Sequence, residues 1–133
     1  MKVEIRNWLR QAEADLKTAR NSLTSKDFYA SGFWAQPAAE KALKAFLMES
    51  EERLIKIHDL VFLGKKVRLP PELLSKCEIL SKVYIETRYG ILEDKIPAEK
   101  FTQEDSEKFL KIAEEILTWL KKRHSNQNPS QIK

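Results

Sequence analysis

The sequence predicts an all-α protein, a five-helix, largely antiparallel up-and-down bundle, and three observations carry that prediction. Only three Gly and five Pro punctuate 133 residues, too few turn formers for many short strands. Apolar residues recur at spacings of three and four along the long segments, the period of a helix face. Capping Ser, Thr and Asp, a Pro in a first turn and a Gly after a last turn mark the boundaries. A chain of this length forms one domain with a proper core.

The first helix places Ile5, Trp8, Leu9, Ala12, Leu16, Ala19 and Leu23 on one stripe, with Arg6, Arg10, Glu13, Lys17 and Arg20 opposite; it is amphipathic. Ser25 is expected to cap a second helix, with Asp27 near its positive end. That helix is apolar over most of its circumference, from Phe28 and Tyr29 through Phe33, Trp34, Ala38, Ala39, Ala42, Leu43, Phe46 and Leu47. Such a helix lies in the middle of a bundle, or serves the core with one side and a partner chain with the other. Its alanines at 35, 38, 39, 42 and 45 permit close approach, so a two-fold homodimer burying part of the first two helices is expected. Pro37 lacks the N–H that would bond the Phe33 carbonyl, at a cost of about 3 kcal/mol inside a helix; a bend is expected there.

A loop, ESEERLIKIHDL, leads to a short third helix around His58–Val67, and LPPE stops it and starts the fourth with Pro71 in its first turn. The fourth helix buries Leu73, Cys77, Leu80 and Tyr84, and Gly90 is expected in the left-handed C-cap conformation. After a long connection over 91–101, Thr102 and Asp105 read as a capping box. The fifth helix buries Phe109, Ile112, Ala113, Ile116, Leu117 and Leu120. Residues 1–124 form the bundle domain, and 125–133 read as a disordered basic and polar tail.

The net charge of +4 sits in the last thirteen residues, KKRHSNQNPSQIK, which hold four basic and no acidic side chains. The body is therefore neutral, and bulk nucleic-acid binding by net charge is not supported. Cys77 is alone, and no Cys/His cluster has metal-ligand spacing, so neither a disulfide nor a metal or other cofactor is expected. The charged, amphipathic N-terminus is no secretory signal, and no apolar run approaches the roughly 20 residues that span a bilayer. The reading is a soluble protein of a reducing compartment, the cytoplasm; richness in Lys and Glu also suits a thermophile.

Chemistry-bearing residues are few. Arg53 and His58 are separated by four residues, a spacing that serves metal-free RNA cleavage: the His moves the 2′-hydroxyl proton and the Arg stabilises the phosphorane. With seven arginines and two histidines in the chain, such a pair also arises readily by accident, and His58–Asp59 reads equally as a cap for the third helix. Gln36, Glu40 and Lys44, with Lys41 beside them, form a narrow polar seam on the apolar second helix. It is either an i,i+4 pair on a solvated stripe worth a few tenths of a kcal/mol, or a set of ligand-binding groups in apolar surroundings. Tyr84, Arg88 and Tyr89 in YIETRYG either stack and pair with a nucleotide or form a tyrosine-rimmed core edge.

Five segments in order, WLRQAEADLKTAR, FYASGFWAQPAAEKALKAFL, HDL, YIETRYG and PAEKFTQEDSEKFLKIAEEILTWL, resemble the HEPN domain family, in its short stand-alone prokaryotic branch, over about residues 5–120. The resemblance implies a dimerising five-helix bundle linked to nucleotides, since such domains are often encoded beside minimal nucleotidyltransferases. It implies polar motif positions at Gln36, Glu40, Lys41, Lys44, His58, Asp59, Tyr84, Arg88 and Tyr89. Some branches are ribonuclease toxins of toxin–antitoxin pairs, with an R-x4–6-H motif near the start of a later helix. Here Arg88 has no histidine following at that spacing, and Arg53/His58 lies in the loop before the third helix. Pro37 replaces the second of the family's paired glutamines, and Gly90 replaces the usual proline after RY. The expected function is nucleotide binding or partnership with a nucleotidyltransferase, without catalysis by this chain alone. The alternatives are a metal-free endoribonuclease toxin and a structural dimerisation module.

Overall fold

A computed structural model describes residues 1–127 except Glu52, Leu54 and Glu93; residues 128–133 also lie outside it. Among the described residues every regular element is helical: α1 (Val3–Thr24), α2 (Phe28–Glu51), α3 (Leu60–Lys66), α4 (Pro71–Tyr89), α5 (Pro97–Lys100) and α6 (Gln103–Gln127). A single 3-10 turn, Gly90–Leu92, follows α4. The expected all-α bundle is present. Its five principal helices are joined by the one-turn α5, which forms inside the connection read as irregular. The last helix continues to Gln127, three residues past the expected domain boundary; the rest of the expected tail lies outside the described residues.

The three-residue connection between α1 and α2 makes them an antiparallel hairpin. Ser25 ends α1 rather than capping α2, and its hydroxyl donates to Asp27 Oδ2 at 2.8 Å. The reason is the turn that follows: Lys26 takes φ 66°, and the Lys26 and Asp27 amides bond back to Leu23 and Ser22, a Schellman closure of α1.

The α2 helix packs against every other α-helix among the described residues. Ala35, Ala38, Ala39, Ala42 and Ala45 are fully buried within this single chain. These alanines are therefore not available as the dimer surface expected on α2: small side chains brought the neighbours of α2 so close that they cover it. Gly32 also permits close approach; a Cβ there would lie 3.2 Å from Val83 and 3.3 Å from Phe101 and Phe109. Leu43 of α2, Leu60 and Leu63 of α3, Leu80 of α4 and Ile116 of α6 are among the bulkiest fully buried side chains. Each contributes roughly 1.5–3 kcal/mol by leaving water.

The stripe read on α1 is the packed one. Ile5, Ala12, Leu16 and Ala19 are buried, and Trp8, Leu9 and Leu23 pack half-buried against them. Asp59 caps α3 by accepting from the Val61 and Phe62 amides at 2.9 and 3.3 Å. Pro71 opens α4 at its first-turn position. Thr102 and Asp105 form the expected reciprocal capping box, each accepting from the other's amide at 3.0–3.1 Å.

Gly90 departs from expectation. Its φ is −64°, because the chain tightens into a 3-10 turn instead of reversing. Its missing side chain serves contact: a Cβ would lie 3.2 Å from Pro97 Cγ.

Residues 33–41 are helical throughout, Pro37 included. The burial of most of α2 outweighs one missing hydrogen bond. Replacing Pro37 by Gln supplies the missing N–H at a half-buried position. Urea unfolding is expected to show a gain of about 1–2 kcal/mol; a loss would mean that the neighbours are shaped to the proline ring.

Candidate functional site

The α2 helix carries three polar residues one turn apart into the interior. Gln36 is 1%, Glu40 8% and Lys44 3% exposed. Buried on the inner face of α2, they must satisfy one another. Gln36 Nε2 donates to Glu40 Oε1 at 3.1 Å, and Lys44 Nζ donates to Glu40 Oε2 at 3.1 Å. His58, from the loop before α3, brings Nδ1 within 2.8 Å of the same Oε2. An ionised carboxylate only accepts, so His58 Nδ1 carries a proton and donates to it. The His58 side chain is largely exposed. Lys44 also lies over the Trp8 ring, 5.7 Å from its centroid, a cation–π contact.

Burial works to raise the Glu40 pKa. Hydrogen bonds from His58, Gln36 and Lys44, together with the Lys44 charge, outweigh it and leave the group below its ordinary 4.5. Stability from this depressed carboxylate is present above the unfolded-state pKa and is lost as the pH falls through the lower folded value.

Arg88 of α4 is the second feature. Its guanidinium lies 4.2 Å from the Phe33 ring centroid and 4.1 Å from that of Tyr84, stacked by one aromatic from α2 and one from its own helix. Burial lowers its pKa, opposed by the charges of Tyr84, Glu40 and Tyr89; Arg88 and the Glu40 carboxylate therefore sense each other's field. Beside them the Gln36 carbonyl Oε1 is buried with no hydrogen-bond partner among the described residues. The cluster thus offers a fixed cation and a waiting acceptor.

The structure divides the sequence-predicted residues. Gln36, Glu40, Lys44 and His58 form one network, and Arg88 with Tyr84 stands beside it. Lys41 belongs elsewhere: it pairs with the buried Asp15 of α1 at 2.5 Å, and Gln11 holds the other Asp15 oxygen at 3.0 Å. Asp59 is occupied as the α3 cap. Tyr89 is 58% exposed. Arg53 pairs with Glu51 at 3.2 Å while His58 is held by Glu40, so the two residues read as a cleavage pair have separate partners. Arg53 instead lines a cavity of about 260 Å³ with Lys2, Ile5, Trp8 and Met48.

Sequence reasoning missed the polar or stacking roles of Phe33, Asp15 and His124. Phe33 falls three residues before Gln36 and shares the Gln36–Glu40–Lys44 face, a signal that was readable. Among the described residues no group of three or more His, Cys, Asp or Glu is placed to hold a metal. The Cys77 thiol, buried and facing the Asp59 charge, is pushed up to about 11 and is an unreactive core residue.

Glu40→Gln keeps the shape but leaves the Lys44 ammonium buried without a counter-charge. A loss of roughly 3 kcal/mol in urea unfolding at pH 7 is expected. Adding Lys44→Met should recover most of it, because the orphaned charge is gone. An equal loss in both variants would show that the pair's charges are not what the position requires.

Comparison with known proteins agrees with this architecture. A family model described as the HEPN domain matches residues 5–124. The crystal structure of TT1696 from Thermus thermophilus is 31% identical, with a TM-score of 0.81 over 92% of this chain and 99% of that one. An archaeal HEPN homologue, ST0689, is 30% identical, with a TM-score of 0.75 over 92% of this chain and 98% of its own. No curated protein matches the chain. No helix among the described residues is long and apolar enough to cross a membrane. The order of the helices, the central α2 and these matches together make the chain a member of the HEPN domain family.

Proposed function

We propose that this HEPN-domain protein is a binding protein without catalysis of its own, and that its ligand is a nucleotide held at the Arg88–Glu40 cluster. The observation that carries this reading is the Arg88 guanidinium, stacked by Phe33 and Tyr84 beside a network whose Gln36 carbonyl is unpartnered among the described residues. Arg88 Nη1 donates only long bonds, to the Tyr84 carbonyl and the Thr87 hydroxyl at 3.4 Å each, which a phosphate would displace at little entropic cost. The Gln36 oxygen would accept from a base or sugar donor. Absence of catalysis by this chain is supported by the separate partners of Arg53 and His58: the arginine that would stabilise the phosphorane is tied to Glu51.

A second reading, a protein partner such as a nucleotidyltransferase or a second copy in a homodimer, is favoured by one observation. Ile85, Tyr89, Ile91 and Leu92 gather at the end of α4, between 58% and 86% exposed. Apolar side chains in such numbers at one place mark a docking surface. On this reading the family's dimer would use α4 rather than the alanines of α2.

A thermal-shift panel of nucleotides separates the readings. At about 100 times its dissociation constant a bound nucleotide adds roughly 2.7 kcal/mol, a rise of roughly 10 °C for a domain of this size, and Arg88→Gln should abolish it. No shift with any nucleotide would leave the interaction module as the function. Incubation with single-stranded and structured RNA in EDTA should give no cleavage; cleavage abolished by His58→Ala would establish the ribonuclease instead.

A further inference from the structure

We propose that a second cavity, sharing no residue with the Glu40 network, binds a phosphate group. It lies where α2, α3 and α6 end, encloses about 520 Å³, and is lined by Lys66, Arg68, Arg123 and His124 with Glu49 and Phe46 among its other walls. That volume is within the usual range of small-molecule sites.

Two independent features point to an anion. His124 is 5% exposed, and neither ring nitrogen has a hydrogen-bond partner among the described residues. A neutral imidazole always carries one N–H, so a buried donor here waits for an acceptor. Its ring packs edge-on against Phe46, centroids 5.4 Å apart. The cations around it identify the sign of that acceptor. Arg123 is fixed by the Trp119 ring at 5.2 Å and by the Val67 carbonyl, to which it donates. Lys66 leans on the Phe62 ring at 5.6 Å, and Arg68 has no ion-pair or hydrogen-bond partner for its side chain among the described residues. Glu49, the acid in the wall, is engaged by the N-terminal ammonium at 3.7 Å. The helix ends contribute partial negative charge, which one or two of these cations would balance. Three cations and a buried N–H donor exceed that need.

Arg68 gives a clean test because of its backbone. It sits at φ 62°, its amide bonded to Lys65 and that of Leu69 to Gly64, the Schellman position at which glycine is preferred. Lys26 occupies the same position at the end of α1, φ 66°, away from the cavity. Arg68→Gly and Lys26→Gly therefore remove one positive charge each and relieve the same backbone strain.

The experiment is calorimetric titration of the full chain with orthophosphate and with glycerol phosphate, in a low-chloride buffer. Saturable binding is expected, weakened at least tenfold by Arg68→Gly and less than twofold by Lys26→Gly, both variants melting at or above the native temperature. Saturation should also shift the His124 ring nitrogens in NMR spectra. Preference for glycerol phosphate assigns the site to a phosphomonoester, and preference for orthophosphate to the free anion; either upholds it. No binding of either, equal loss in the two glycine variants, or unmoved His124 resonances would overturn the proposal.

Discussion

The α2 helix packs against every other described α-helix, and the polar side chains on its buried face have no solvent in which to discharge. Its five buried alanines and Gly32 let α1, α4 and α6 come close enough to seal it. Every other arrangement in the domain follows from that closeness. Gln36, Glu40 and Lys44 are held inside, so one carboxylate must satisfy an amide, an ammonium and an imidazole at once. The proline is tolerated for the same reason, since the burial around it is worth several times the bond it forgoes.

Burying an ion pair is a weak way to stabilise a fold, because desolvation consumes most of the attraction. Its value here is in placement. Glu40 fixes Lys44 against Trp8, orients His58 from a loop and sets the field at Arg88. Arg88 in turn is fixed by two rings. On the proposed function, a ligand reaching the cluster would meet groups already oriented and lose little entropy in ordering them.

The bundle was legible in the sequence because its signals are local. The stripe on α1, Pro71, the Asp59 cap and the Thr102–Asp105 box each depend on neighbours a few residues away. What failed depended on distant chain. The alanines of α2 announce close packing but not which surface does the packing, and their partners prove to be the chain's own helices. Gly90 reads as a helix stop from its type alone, whereas in the fold it lets Pro97, seven residues on, come within 3.2 Å of where its Cβ would lie. Lys41 and Lys44 look alike on a helical wheel; only the positions of Asp15 on α1 and Glu40 on α2 separate them. Arg88 was visible as a chemical group, and Phe33 could be placed on the polar face of α2, but that the two stack depends on residues far apart in the chain.

The central claim, that Glu40 is held ionised inside the bundle by its partners, is tested most directly by following its side-chain carboxyl carbon by NMR as the pH is lowered. The account predicts one titration with a midpoint below 4.5, the ordinary value, and His58 ring resonances that move with it. A midpoint above 4.5 would mean that burial dominates, that the carboxyl is readily protonated, and that the network does not organise the site.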